Sequence, residues 1–219
     1  MITRASMASL LLVLLLGCAP PAPPEAAVSE VSEEQIVAEG RAALRAAGID
    51  IIRFGVTPYI ARQELIDSYG PLLDHLGDRL GLPLELVVGD SYEDMEQRAI
   101  DGRVDVANLP PYAYVRASRR APGLKAFATH IANGSLSYGS YIIARDDGPV
   151  RQLSDLRGER VGYVDLHSTS GFLFPAERLL EEGLHPLRDL EPVWLGGHDT
   201  VYDAVVAGDV VAGALYAGG

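Results

Sequence analysis

From residue 50 onward the chain alternates short apolar runs with amphipathic stretches, and few folds accommodate that rhythm. Residues 51–56, 84–88 and 104–109 are apolar runs without helical period, which predicts strands. Between the first two, Leu65, Ile66, Tyr69, Leu72, Leu73, Leu76 and Leu80 lie on one stripe, a helix over 63–80 that Pro71 kinks and Gly81 ends. Ser91 with Asp94 caps a helix reaching residue 101, 111–119 form the next, and 125–130 read as a strand. A long apolar segment, 138–144, precedes strands at 160–164, 191–195 and 210–215, with helices over 171–182 and 200–207. Strands separated by helical stretches of about 10–18 residues imply βαβ units and parallel sheets covered by helices. Two such runs joined by one long strand predict an α/β fold of two lobes, 50–137 and 138–219, with a hinge near 136–145.

The first 49 residues do not follow this pattern. Arg4 and the apolar run 10–16 have the form of a signal peptide over 1–17, too short to cross a bilayer, which needs about 20 residues. The run ends Leu15-Leu16-Gly17-Cys18, which resembles a bacterial lipobox and implies lipidation of Cys18 after cleavage. Leu16 is bulkier than the small residue usual there, and a plain secretory signal is the alternative. Within 18–49, the proline-rich stretch 19–28 predicts an extended spacer. A capping box of Ser32 and Gln35 then opens a helix over 32–48, with Ile36, Ala43, Leu44 and Ala47 on one stripe. Cys18 is the single cysteine, which excludes an internal disulfide and any Cys-based zinc site. The formal charge of −12 argues against nucleic acid and against adsorption to anionic lipid, while saying little about a small anion inside a cleft.

In open α/β sheets ligands bind beyond the carboxyl ends of the strands. Four of those turns are polar in a way that packing does not require: Thr57-Pro58-Tyr59, Pro110-Pro111-Tyr112-Ala113-Tyr114, 165–171 and 196–200. Ser168-Thr169-Ser170-Gly171 places three hydroxyls before a helix, where unpaired N–H groups and the helix dipole attract oxyanions. One hydroxyl suffices for an N-cap, so three point to ligand binding. His198 opens another helix and offers a donor from Nε2, with Asp199 capping that helix or orienting the ring. Tyr59 and Tyr112 sit beside prolines in turns and offer phenolic donors, whereas Tyr114 reads as packing.

With these turns in hand, the chain resembles the phosphate/phosphite/phosphonate substrate-binding proteins of ABC transporters, the phosphonate-binding periplasmic family. The resemblance rests on 53–59, 102–114, Ser168-Thr169-Ser170-Gly171 and Gly197-His198-Asp199, in family order and roughly family spacing. It implies a type II periplasmic-binding fold whose lobes close on a small oxyanion, with Tyr59 and Tyr112 on one lobe and Ser168, Thr169, Ser170 and His198 on the other. It also implies delivery to an ABC permease by a monomeric, exported protein, periplasmic or at the cell surface and held to the membrane by its N-terminal lipid. No cofactor, metal or catalytic residue is implied. Family members continue past the strand at 210–215 through a second hinge strand, so the chain is either a fragment or lacks that crossover in its first lobe. Members that accept aminoalkylphosphonates present an acidic residue near this point, where Leu215-Tyr216-Ala217-Gly218 has none, which predicts a preference for phosphate, phosphite or a simple alkylphosphonate.

Three other readings compete. Ser168, His198 and Asp199 have the residue types of a hydrolase triad, but there is no G-x-S-x-G elbow. The histidines at 75, 130, 167, 185 and 198 show no metal-binding spacing. A sensory module of the same fold, or a binder of another small anion, is the alternative that survives.

Overall fold

The computed structural model describes residues 32–131 and 134–217. The signal peptide, Cys18 and the proline-rich spacer lie outside the described residues. Among those described, no helix is long and apolar enough to cross a membrane.

Helix α1 (Glu33–Ala46) opens on Ser32 and Gln35, whose side chains and backbone amides satisfy one another as the sequence predicts. Its stripe buries nothing: Ile36 stays 59% exposed. Polar contacts fix the helix instead, because Arg41 donates to the Leu80 carbonyl and Arg79 pairs with Glu33.

Strands β1 (Ile52–Val56), β2 (Leu84–Val88) and β3 (Val106–Asn108) form a parallel sheet in the order β2-β1-β3. Phe54 is in register with Leu86 on one side and Val106 on the other. Helices α2 (Arg62–Leu80) and α3 (Tyr92–Ile100) make the crossovers, and α4 (Pro111–Arg120) follows β3. Leu65 packs on Val56 and Val88 under one face, and Met95 and Ala99 pack on Val104. Helix α2 continues through Pro71 rather than ending there, and Gly81 stops it in the left-handed conformation that glycine adopts freely.

The second sheet has the order β4-β7-β5-β6, from β4 (Gly139–Ala144), β5 (Arg160–Tyr163), β6 (Glu191–Trp194) and β7 (Ala212–Ala217). Helices α5 (Phe174–Glu181) and α6 (His198–Ala207) cover it. Its core gathers Leu156, Val161, Tyr163, Leu179, Leu184, Ala212 and Ala214.

Two expectations change. The sheets are not purely parallel: β4 runs antiparallel to β7, with Tyr141 opposite Leu215. A strand entering from the other half of the chain needs no helical crossover to reach its neighbour, so the βαβ argument does not bind it. Residues 125–130 form no strand. Apolar, β-favouring residues make a strand only when a ladder partner is present, and Phe127 is left 80% exposed.

Candidate functional site

The carboxyl ends of the two sheets meet. The turn after β1 is pinned to the end of β3, since the Thr57 hydroxyl donates to the Asn108 carbonyl at 3.1 Å. The Asn108 amide donates to the Tyr69 hydroxyl at 2.9 Å, and Tyr59 lies close by. Burial, reinforced by the neighbouring Tyr59, holds the Tyr69 phenol far above its usual range, so Tyr69 stays protonated. Tyr59 is thereby positioned at the rim of its sheet, packed between the Val56 and Tyr92 clusters.

Opposite lies the turn that leaves β5. Asp165 accepts the His167 N–H at 2.7 Å and the chain then enters a π-helical turn, Thr169–Leu173, ahead of α5. Wide π turns expose backbone groups and recur at functional sites. Ser168, Thr169 and Ser170 are all buried, at 2%, 3% and 4% exposure. The Ser168 Oγ accepts the Gly171 N–H at 3.0 Å, the ordinary N-cap bond. Thr169 does something a cap does not: its Oγ1 accepts the backbone N–H of Tyr112, from the other sheet, at 3.0 Å. Ser170 is anchored through its carbonyl, which accepts the Ser140 hydroxyl of β4 at 2.6 Å. Gly171 is required by space: a Cβ there would meet the Val164 side chain and come within 2.8 Å of Ser168 Oγ.

His198 is the first residue of α6, two positions before the start that the sequence predicts. Its backbone N–H donates to the Tyr59 carbonyl at 2.8 Å, a second bond between the sheets. Its Nδ1 accepts the Tyr216 N–H at 3.2 Å, and the Tyr216 ring stands edge-on at 4.8 Å. Burial lowers the imidazole pKa to about 4 against an opposing pull from Asp199. At neutral pH the ring is therefore uncharged, with its proton on Nε2. Asp199 does not touch this ring's Nδ1: its Oδ2 accepts the Ala61 N–H at 2.9 Å.

The structure thus brings Tyr59 against His198 and Tyr112 against Thr169, while Ser168 and Ser170 adjoin Thr169 in one turn. The Tyr114 hydroxyl accepts the Ala126 N–H, in keeping with a packing role. One residue escaped sequence reasoning. Tyr92, at the start of α3, is 2% exposed, packs on Val164 after β5 and Val201 of α6, and has Ser168 near its hydroxyl. Its signal was available, because it too follows a strand at the carboxyl edge. Among the described residues, no group of three or more His, Cys, Asp or Glu side chains could hold a metal ion. The named donors are neutral hydroxyls, amides and an uncharged imidazole.

A family model described as "ABC transporter, phosphonate, periplasmic substrate-binding protein" matches residues 54–219. The chain belongs to this phosphonate-binding family. It is a family of transport binding proteins rather than enzymes. The chain is 32% identical over 177 residues to the phosphate-import protein PhnD of Mycolicibacterium smegmatis, covering 76% of this chain and 55% of that one. To the phosphonates-binding periplasmic protein of Escherichia coli it is 28% identical over 153 residues, 68% of this chain and 45% of the other. The chain therefore spans about half the length of these curated relatives.

Among solved structures, the binding component of a phosphonate ABC transporter from Pseudomonas aeruginosa superposes with a TM-score of 0.71 at 24% identity, over 76% of this chain and 57% of that one. PhnD1 of Prochlorococcus marinus, in complex with methylphosphonate, gives 0.66 at 19% identity, over 76% and 63%. These likenesses establish the fold of the phosphonate-binding family member described here, the type II periplasmic-binding architecture.

Proposed function

We propose that the chain is the ligand-capturing part of an exported solute-binding protein that seizes a phosphorus oxyanion and hands it to an ABC permease. The observation that carries this reading is the buried Ser168-Thr169-Ser170 turn, closed from the opposite sheet by the Tyr112 N–H on Thr169. Three hydroxyls and the first amides of a helical segment, beside the neutral Nε2–H of His198, supply donors for a tetrahedral oxyanion without a countercharge. From the other half of the fold, the Tyr112 N–H, the Tyr59 carbonyl and the ring of Tyr92 border this region. Oriented neutral dipoles of this kind stabilise an anion in a place where a buried ammonium would carry its own desolvation cost.

The preferred ligand lacks an amine. Residues 215–217 present no carboxylate, and Asp165 beside the anion turn is engaged by the His167 N–H. One curated relative is named for phosphate import and another for phosphonates, so both ligand classes belong in the test. Cys18 carries the lipid that holds the protein at the membrane; Cys18→Ser then releases it in soluble form, and metabolic labelling with palmitate marks the wild type alone.

Calorimetry with methylphosphonate, phosphite, phosphate, sulfate and 2-aminoethylphosphonate tests the ligand class. Binding of one of the first three, abolished by Ser168→Ala with Thr169→Val, is the expected result. A ligand at 100 times its Kd also raises stability by about 2.7 kcal/mol, which a thermal-shift panel detects. Failure of all three phosphorus oxyanions, or a clear preference for 2-aminoethylphosphonate, overturns the reading.

A further inference from the structure

Helix α2 is 19 residues long and begins badly. Its N-cap is Ala61, which has no oxygen to offer, and no side-chain cap bond is made by that residue. Alanine is among the poorest N-cap residues, and the first amides of such a helix seek an acceptor. The acceptor comes from the other sheet. Asp199, in the first turn of α6, reaches across to place Oδ2 2.9 Å from the Ala61 N–H, 138 residues away in sequence. Its neighbour His198 donates its own backbone N–H to the Tyr59 carbonyl at 2.8 Å. The segments 59–61 and 198–199 are thus stitched by two bonds whose donors run in opposite directions.

We propose that Asp199 is a closure residue: it caps α2 in trans only when the two halves of the fold come together, and so ties the position of His198 to the closed state. The chemistry favours this assignment over a passive contact. A carboxylate at a helix N-terminus gains from the dipole, and a hydrogen bond to a charged acceptor is about twice as strong as a neutral one. Asp199 Oδ1 is buried without a partner among the described residues, so the carboxylate gives up solvent to make the Oδ2 bond. Separation of the halves returns that oxygen to water and leaves α2 uncapped. Glycine at 197 leaves the space the carboxylate uses, since a Cβ there would meet Asp199 Oδ1. Asp199 is a positioning residue; it acts on ligand through His198 and through closure.

The inference rests on the reading that the halves close over a ligand, and its test separates the two. Asp199→Ala removes the acceptor. Ala61→Pro removes the donor, and it does so at φ −52, a value that the proline ring tolerates. Spin labels at positions 67 and 203 of the Cys18→Ser chain report the distance between α2 and α6 without ligand. Methylphosphonate, phosphite and phosphate serve as the binding probes, and circular dichroism checks that each variant folds. Each single substitution is expected to shift the label distances toward the open population and to weaken the bound probe about tenfold, mainly through faster dissociation. The double variant should be no worse than either single one, because both remove the same bond. Asp199→Asn, which keeps an acceptor without the charge, should fall in between. Additive losses, or label distances identical to wild type in Asp199→Ala, overturn the proposal. Failure of every probe to bind wild type while the distances still shift removes the ligand reading and leaves the closure residue standing.

Discussion

The Nδ1 of His198 receives the backbone N–H of Tyr216 at 3.2 Å, and this bond decides which proton the ring has to offer. An acceptor at Nδ1 requires the hydrogen on Nε2, so the imidazole is a neutral donor through Nε2. A positively charged ring would lose the Tyr216 bond and place a charge in a buried site. The same geometry makes the residue sensitive to acid.

The sign of that sensitivity follows from burial. The folded pKa of His198 is about 4 and its unconstrained value 6.5, so between these limits the unfolded chain binds a proton that the native ring refuses. Native stability is present in full above pH 6.5 and falls as the pH drops toward 4. The full effect is on the order of 3 kcal/mol. Urea unfolding at pH 7.5, 5.5 and 4.5 should show this decline, and His198→Gln should flatten it. A wild-type profile that stays level across that window means the ring is charged in the native state.

Thr169 joins the turn 168–170 to Tyr112, so losing its oxygen breaks a link between the two halves. Thr169→Val leaves the Tyr112 N–H without its acceptor and should cost about 1–3 kcal/mol of stability. Thr169→Ser keeps the oxygen and should cost far less. Gly171→Ala is steric rather than electrostatic: its Cβ presses on Val164 and Ser168, which forces the turn apart and should lower stability by roughly 1–3 kcal/mol. Thermal melts of the three variants, compared with phosphate or methylphosphonate titrations, check the order. Equal stability for Thr169→Val and Thr169→Ser would remove the cross-sheet bond from the account.

A control comes from a cluster outside the cleft. Glu96 of α3 is 1% exposed and accepts from Arg116 at 3.0 Å, with Arg120 at 3.7 Å, so it clamps α3 to α4. Both arginines reach solvent, which limits the loss when the carboxylate is removed. Glu96→Gln should lower stability by about 1–2 kcal/mol and leave ligand affinity within twofold. A larger change in affinity would show that the helix pair transmits to the site.

The legible parts of this molecule are those set by local pattern. The stripe from Leu65 to Leu80 gave α2 within a residue or so, and the turns at Thr57-Pro58-Tyr59 and Ser168-Thr169-Ser170-Gly171 were marked by chemistry that packing does not demand. What escaped depends on partners distant in sequence. Residues 125–130 look like a strand because propensity is local, while pairing is not. Asp199 looked like a cap or ring partner for its own helix, yet its acceptor oxygen serves Ala61, and only the meeting of two sheets reveals it. The antiparallel β4 was hidden for the same reason, since strand direction is set by where the chain enters the sheet.

Tyr92 is the sharpest case, because one side chain carries both packing and a polar function. Its ring packs against Val164 and Val201 of the other half, and Ser168 beside its hydroxyl partly offsets the upward pull of burial on the phenol. Tyr92→Phe preserves the ring and removes only the hydroxyl, so stability should change by about 1 kcal/mol or less. If the hydroxyl orients Ser168 toward ligand, affinity should nevertheless fall severalfold. Tyr92→Ala opens a cavity where the two sheets meet and should cost roughly 3–5 kcal/mol. Paired urea melts and titrations with the best-binding oxyanion distinguish the two roles. A Phe variant that binds as wild type while the Ala variant unfolds early would assign Tyr92 to packing alone, and the proposed donors would remain Ser168, Thr169, Ser170, Tyr59, Tyr112 and His198.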